Sequence, residues 1–266
     1  MELLNKVCYL GDDDATRAAA YLCGVMTNQG IDFDRVDSGV APSDDFVSKR
    51  YALYALSDYA VAAFKPGQLE HIVDAVKKGS GLLMLGGWES YYGRLGEYRN
   101  TPLAQILPVV MASSDDRRNY SSPVLLRPVV DSHPIVDGLP WSTAPGVGGF
   151  NAFEAKEGAQ VLLEGVRTET AWLRPVGKLG APLDSSDVTV KLLESFPFLV
   201  VDSVGEGRVA AFASDVAPHW IGGMVDWGVP RVFQELPAKL GDGLFIEVGS
   251  DYAKFFGQLL RWTGRL

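Results

Sequence analysis

Sulfur and imidazole are scarce in this sequence: two cysteines, Cys8 and Cys23, and three histidines in 266 residues. Both cysteines fall in stretches that read as regular secondary structure, so they are expected as small buried hydrophobes. No disulfide and no metal-type cysteine spacing follows from them. No stretch approaches the roughly 20 consecutive apolar residues of a membrane span. Met1-Glu2-Leu3-Leu4-Asn5-Lys6 lacks the basic and apolar regions of a secretory leader, so a cytoplasmic protein without a membrane partner is expected. Positive charge is short too. Lys and Arg total 24 against 33 Asp and Glu, a formal net charge of -9 that repels a phosphate backbone. Lys77-Lys78 and Arg117-Arg118 are isolated doublets, and nucleic acid is not an expected partner. The first strand is followed by no dinucleotide glycine pattern, and no phosphate-loop lysine occurs, so no cofactor is expected. Neither a linker nor an internal repeat divides the chain, which reads as a single domain over residues 1–266.

What is present is an ordinary globular composition, 47% hydrophobic and 21% charged. Lys6-Val7-Cys8-Tyr9-Leu10 reads as a strand that runs into Asp12-Asp13-Asp14. Ala15, Ala18, Ala19, Leu22, Val25 and Met26 then form one helical stripe, with Asp14 suited to its N-cap and Gly30 to its stop. Strands follow at 31–36 and 51–56, the latter ending at Ser57-Asp58. A helix carrying Leu69, Ile72, Val73 and Val76 on its inner face leads to the strand Leu82-Leu83-Met84-Leu85. Apolar strands without alternation, separated by amphipathic helices, predict a parallel sheet covered on both faces. A short helix begins at Thr101-Pro102. Residues 111–145, rich in Ser, Asp and Pro, read as an excursion from the sheet with one strand at Val124–Arg127. Strands are expected at Gln160–Leu163 and Ala171–Arg174. Gly205-Glu206-Gly207 between two apolar runs predicts an antiparallel hairpin. Residues 214–248 read as loop with one short helix, and a final helix starts near Ser250.

The chain is organised around the apolar strand that breaks on Gly86-Gly87. A strand followed by a sharp turn is where many α/β enzymes lift a nucleophile above the sheet. Here glycines occupy it, offering either backbone N–H groups to an anion or a close backbone crossing.

Several strings together resemble a known family: Gly81-Leu82-Leu83-Met84-Leu85-Gly86-Gly87-Trp88, Thr101-Pro102-Leu103, Ile106-Leu107-Pro108-Val109, His133-Pro134-Ile135, Gly138-Leu139-Pro140, Gly205-Glu206-Gly207-Arg208-Val209 and Ser214-Asp215-Val216-Ala217-Pro218-His219-Trp220. They are similar to the glutamine amidotransferase-like domains of the class I glutamine amidotransferase-like superfamily, relatives of trehalose-utilisation-protein-like proteins. The resemblance implies a flavodoxin-like three-layer α/β sandwich, with a mostly parallel central sheet, an antiparallel edge extension, and a pocket over the carboxyl ends of the strands. It also implies a cysteine where Gly86, or failing that Gly87, stands and a histidine near Ser214-Asp215. Losing the attacking residue of such a triad costs about 10⁶-fold in turnover, so glutaminase activity is not expected.

His219, four residues after Asp215, is the candidate catalytic residue with Asp215 orienting it; the alternative is a histidine capping loop carbonyls. Gly86, Gly87, Trp88, Asp58 and Ser214 are the candidate ligand-binding residues. His133 reads as structural and His71 as surface. Asp12, Asp13, Asp14 and Asp58 lie at strand ends and could ring the pocket with Asp215, holding a hard cation or sugar hydroxyls; read singly they are a cap or solvated turns. Trp88, Tyr91, Tyr92 and Tyr98 could stack on a sugar or form a subunit contact, and core filling accounts for some of them equally well; of the first two uses the subunit contact is favoured, which makes a homo-oligomer the expectation. Three readings result: a binding protein for a small polar, carbohydrate-related molecule without glutaminase activity; a catalytically silent homo-oligomeric assembly or regulatory module; and a hydrolase using Asp215 and His219.

Overall fold

A computed structural model describes residues 2–14, 16–143, 145–172 and 188–266. The first strand, β1 (Glu2–Gly11), is followed by α1 (Ala19–Asn28), β2 (Phe33–Val36), β3 (Lys49–Ser57), α2 (Gln68–Lys77) and β4 (Gly81–Leu85). This is the β-α alternation expected from the apolar runs. All five residues of β4 are buried, as a strand covered on both faces demands, and each such leucine contributes roughly 1.5–3 kcal/mol by leaving water. Next come α3 (Pro102–Ile106), β5 (Val109–Met111), β6 (Arg117–Pro128), β7 (Gly146–Asn151), β8 (Phe153–Ala155), β9 (Gln160–Trp172), β10 (Val188–Val204) and β11 (Gly207–Phe212). The chain ends with α4 (Pro218–Ile221), β12 (Arg231–Glu235), β13 (Phe245–Gly249) and α5 (Ser250–Gly264).

Nine strands form one sheet in the order β2-β1-β3-β4-β11-β10-β9-β6-β7. The first five run parallel, and the β11–β10, β10–β9, β9–β6 and β6–β7 pairings are antiparallel. The expected mixed α/β class is present, with an antiparallel extension of four strands beside a parallel core of five. Right-handed crossovers running outward in opposite directions from β1 and β3 put α1 and α2 on opposite faces. Helix α5 packs beside α1, and Tyr252, Phe256, Leu259, Leu260 and Thr263 on it are buried as its pattern predicts. Phe256 meets Phe212 of β11 edge-on, ring centroids 5.6 Å apart.

The structure corrects several expectations. Residues 111–145 are no excursion: β6 is twelve residues long and lies inside the sheet. Its burial alternates, and the polar residues on the open face hid it. Residues 160–172 make one strand, not two, and positions 173–174 of the second expected strand fall outside the described residues. The stretch 231–249 contains the hairpin β12–β13. Asp14 does not cap α1, whose first turn begins after Ala18 with no side-chain cap. Its carboxylate accepts instead from Thr16 N–H at 2.8 Å, in the preceding turn. Ala15, the first residue of the expected stripe, lies outside the described residues. Cys8 and Cys23 are buried thiols, and burial pushes the Cys23 thiol up to about 12.

Candidate functional site

Strand β4 ends at the Gly86-Gly87 elbow, and the space beside each glycine is already filled. A Cβ on Gly86 would stand 2.0 Å from the Ala213 carbonyl oxygen, and one on Gly87, where φ is +153°, would stand 1.9 Å from Asp58 Oδ1. Neither residue could carry a nucleophile without moving backbone or the Asp58 carboxylate. Nor does the elbow offer donors. Gly86 N–H donates to the Ser214 carbonyl and Gly87 N–H to Asn151 Oδ1, both at 2.8 Å. The Asn151 amide also donates to the Gly87 carbonyl at 3.1 Å and to Asp116 Oδ1 at 2.7 Å, and Asp116 in turn accepts from Tyr92 and Gly93 N–H. Of the two uses expected for these glycines, the close backbone crossing is the one present. Ser214 is fully buried, with its hydroxyl given to the Gly149 carbonyl at 2.7 Å. Three of the expected ligand-binding residues, Gly86, Gly87 and Ser214, therefore line no open space.

The open space lies beside them. A cleft of about 680 Å³ sits over the carboxyl ends of the parallel strands, at the switch point between β1 and β3 where the chain reverses its winding. The end of β1 supplies Asp13, the end of β2 Ser38 and the end of β3 Asp58. The loop after β4 supplies Trp88 and Glu89, β6 supplies Asn119, and α4 supplies His219 and Trp220. Asp12, Asp13 and Asp58 all have positive φ, at 56°, 56° and 44°. That left-handed conformation costs a non-glycine residue roughly 1–2 kcal/mol and persists where surroundings impose it, which is common at binding sites.

Beneath the cleft the acids crowd together. Asp12 is 2% exposed and Asp215 fully buried. Burial raises the Asp12 carboxyl to about 6. Burial first and the charge of Asp12 second raise Asp58 to about 7, where Oδ1 accepts the Glu89 N–H at 2.8 Å. Asp215 is pushed well above the carboxylate range by burial, then by Asp12 and Asp58. Tyr9 donates its hydroxyl to Asp12 Oδ2, while Asp12 Oδ1 has no partner. Four of the acids raised from the sequence thus converge here: Asp12, Asp13, Asp58 and Asp215. Asp14 stays in its exposed turn.

His219 stands on the cleft wall with Nε2 3.3 Å from Asp215 Oδ2, off the line of a hydrogen bond. Burial favours the neutral form of the Asp215 carboxyl, and the pair stands where acid–base work on a bound molecule is geometrically open. Trp88 is 49% exposed, and the Arg117 guanidinium covers one of its faces 4.4 Å from the ring centroid. Arg117 is anchored on Asp115, whose carboxyl it holds down to about 2. Among the described residues no cluster of three or more His, Cys, Asp or Glu has the geometry to hold a metal ion.

The other aromatics of that loop are not exposed. Tyr91 and Tyr98 are fully buried, and Tyr91 donates its hydroxyl to the carbonyls of Met84 and Phe212 at 2.9 and 3.0 Å. Trp220 and Trp227 are buried as well. The exposed aromatic loop that motivated a homo-oligomer is mostly core. His71 is not free surface either: it packs edge-on against Phe46 and Tyr54, with Nε2 3.1 Å from the Tyr54 hydroxyl. His133 is structural as expected, accepting the Ile135 N–H and packing on Trp262. Sequence reasoning missed Ser38, Glu89 and Asn119. Ser38 had a signal in the Asp37-Ser38-Gly39 turn at a strand end, whereas Asn119 depends on antiparallel register and had none.

A family model described as "Putative glutamine amidotransferase" matches residues 44–181, just over half of the chain. The chain belongs to this family. Two solved structures share the fold along almost the whole length. A cytoplasmic protein of Salmonella typhimurium is 24% identical with a TM-score of 0.67, covering 97% of this chain and 98% of its own. A cytoplasmic protein of Salmonella typhimurium LT2 is also 24% identical, with a TM-score of 0.69 and coverages of 97% and 99%. A weaker likeness, on which nothing below rests, is to a ThuA-like protein of Bacteroides uniformis, 13% identical with a TM-score of 0.43 over 81% of this chain and 85% of the other. No curated protein matches the sequence. Among the described residues no helix is long and apolar enough to cross a membrane.

Proposed function

We propose that this member of the family is a single flavodoxin-like domain of the cytoplasm that binds a small polyhydroxylated molecule in the acidic cleft and does not hydrolyse glutamine. The strand order β2-β1-β3-β4-β11 supports the topology, since it is the 2-1-3-4-5 order of flavodoxin-like sheets. One observation carries the functional reading: the Asp58 carboxylate occupies the volume into which a side chain at the elbow would project. The reactive head of an amidotransferase pocket is thereby replaced by a hydrogen-bond acceptor. Around it stand Ser38, Glu89, Asn119 and a half-exposed tryptophan face, a set suited to hydroxyl groups on one side of a ring and C–H groups on the other.

The test has two arms. Purified protein should release ammonia from glutamine no faster than a heat-inactivated control. In a thermal-shift panel of monosaccharides and sugar alcohols, at least one member should raise the midpoint of the parent and lose that effect in Trp88→Ala. Release well above background, or a panel without any shift, overturns the proposal. A second reading, a hydrolase, draws on the approach of His219 to Asp215. It requires His219→Ala to lower turnover of some ester or glycoside about 10²–10⁴-fold while leaving ligand affinity nearly unchanged.

A further inference from the structure

Several acids outside the cleft are opposed directly by a cation. Asp34, Asp45, Asp115, Glu164 and Glu247 each sit within 3.3 Å of a lysine or arginine nitrogen. No lysine or arginine lines the cleft, and Asp58 and Glu89 have no ion-pair partner among the described residues. Asp13 has only Arg17, at 3.8 Å with both side chains in solvent. Two further carboxyl groups, each more than nine-tenths buried, carry an oxygen without a hydrogen bond: Asp215 Oδ2, 3.3 Å from Nε2 of the cleft residue His219, and Asp12 Oδ1, next in the chain to the cleft residue Asp13. Unpartnered buried acceptors are rare, because each forfeits the hydration it gave up on folding. Arg35 and Arg117 stand nearby but pair with Asp37 and Asp115, so the acceptors beside the open aromatic face lack a positively charged donor in direct contact among the described residues.

We propose that the molecule bound in the cleft is a polyol carrying a primary amine, its ammonium seated between Asp58 and Glu89 and its carbon chain against the free face of Trp88. This deepens the binding reading above and rests on it. A neutral polyol would satisfy some acceptors and leave the charge of half-buried Glu89 uncompensated. An ammonium supplies three donors and the missing charge together. Trp88 already accepts a cation on its other face, from Arg117.

Binding should also move protons. Asp58 faces Asp12 and Asp13 from the end of β1, Arg35 behind them on β2, Glu89 from the loop after β4, Arg117 from β6, Asp215 from the end of β11 and His219 from α4. Its carboxyl is partly protonated near neutral pH, so a bound ammonium displaces that proton and binding tightens as pH rises from about 6 to about 8.

The probes are 1-amino-1-deoxysorbitol and sorbitol, which differ only in the amine, titrated calorimetrically into the full chain. The amine should bind at least about 10-fold more tightly at about pH 8. Its advantage should shrink toward pH 6, and its heat should depend on the buffer's ionisation enthalpy, reporting proton release. Asp58→Asn, folded by circular dichroism, should bring the two affinities together, with Glu89→Gln as the second variant. Equal binding of both probes, or an amine preference that survives both substitutions, overturns the amine while leaving the polyol reading standing. No binding of either probe to the parent overturns the amine inference, and the sugar and sugar-alcohol panel then decides the broader reading separately.

Discussion

The two halves of the sheet hold together in different ways. On the β2-β1-β3-β4 side, short strands buried on both faces are separated by helices that cover them, so nearly every side chain along β4 is core. On the β10-β9-β6-β7 side, strands of up to 17 residues pair directly with their neighbours; β6 alternates buried with exposed or half-buried residues from Ser121 to Arg127, and β10 is exposed over 189–192 and buried over 198–201. The parallel half brings acids to the cleft because its strand ends converge. The antiparallel half brings Asn119 to the wall and Asn151 to the elbow by register. A site built at such a seam takes its charge from one side and its rigidity from the other.

The sharpest way to break this comparison is at the seam itself. Gly86→Ala drives a methyl group into the Ala213 carbonyl and should cost about 4 kcal/mol or more, read as loss of folded protein or of most of its denaturation midpoint. Leu83→Ala, in the fully buried strand, should cost about 3 kcal/mol by urea unfolding. Asn151→Ala strands the Gly87 peptide and Asp116 and should cost about 2–3 kcal/mol, although it removes only a small side chain.

The acid cluster gives a smaller, pH-dependent effect. The folded chain holds the Asp12 and Asp58 protons more tightly than the unfolded chain, whose carboxyls titrate near 4. The unfolded state therefore loses protons first as pH rises. Stability should fall between about pH 4 and about pH 7 and level off above, by on the order of 1–2 kcal/mol for Asp58. Asp58→Asn should flatten that slope in unfolding curves collected across the range. The least effect belongs to the outer end of the antiparallel half: Val190→Ala, on an exposed stretch of β10, should change stability by no more than about 0.5 kcal/mol. A cost near that of Leu83→Ala would mean the two halves are not built differently.

The same contrast explains what could be read from residues alone. Leu82 to Leu85 and the stripe Leu69, Ile72, Val73, Val76 announce a strand and a helix because burial on both faces, or on one, leaves a local pattern. Strand β6 reads Arg117-Arg118-Asn119-Tyr120-Ser121-Ser122 at its start, and nothing in that string says it pairs with Gly149 to Asn151. At the site, the strand-end acids and His219 were legible for the first reason. The Asn151 pin and the seal on Gly86 depend on partners more than sixty residues away, and the seal on Gly87 depends on the Asp58 side chain at the end of a different strand. Which of the loop aromatics fill the core, Tyr91 and Tyr98, is not legible, because a glycine-rich neighbourhood conceals how tightly their loop folds onto the sheet.

Asn151 behaves toward Gly87 as a peptide group of an adjacent strand would, donating to its carbonyl and accepting from its N–H, while its second amide hydrogen reaches the carboxylate that gathers the loop behind. The edge strand, the elbow and that loop are therefore laced into one unit with no covalent tie. Deuterium entering the amides of Gly87, Tyr92 and Gly93 should do so at a common rate, since none can meet solvent until the same knot opens.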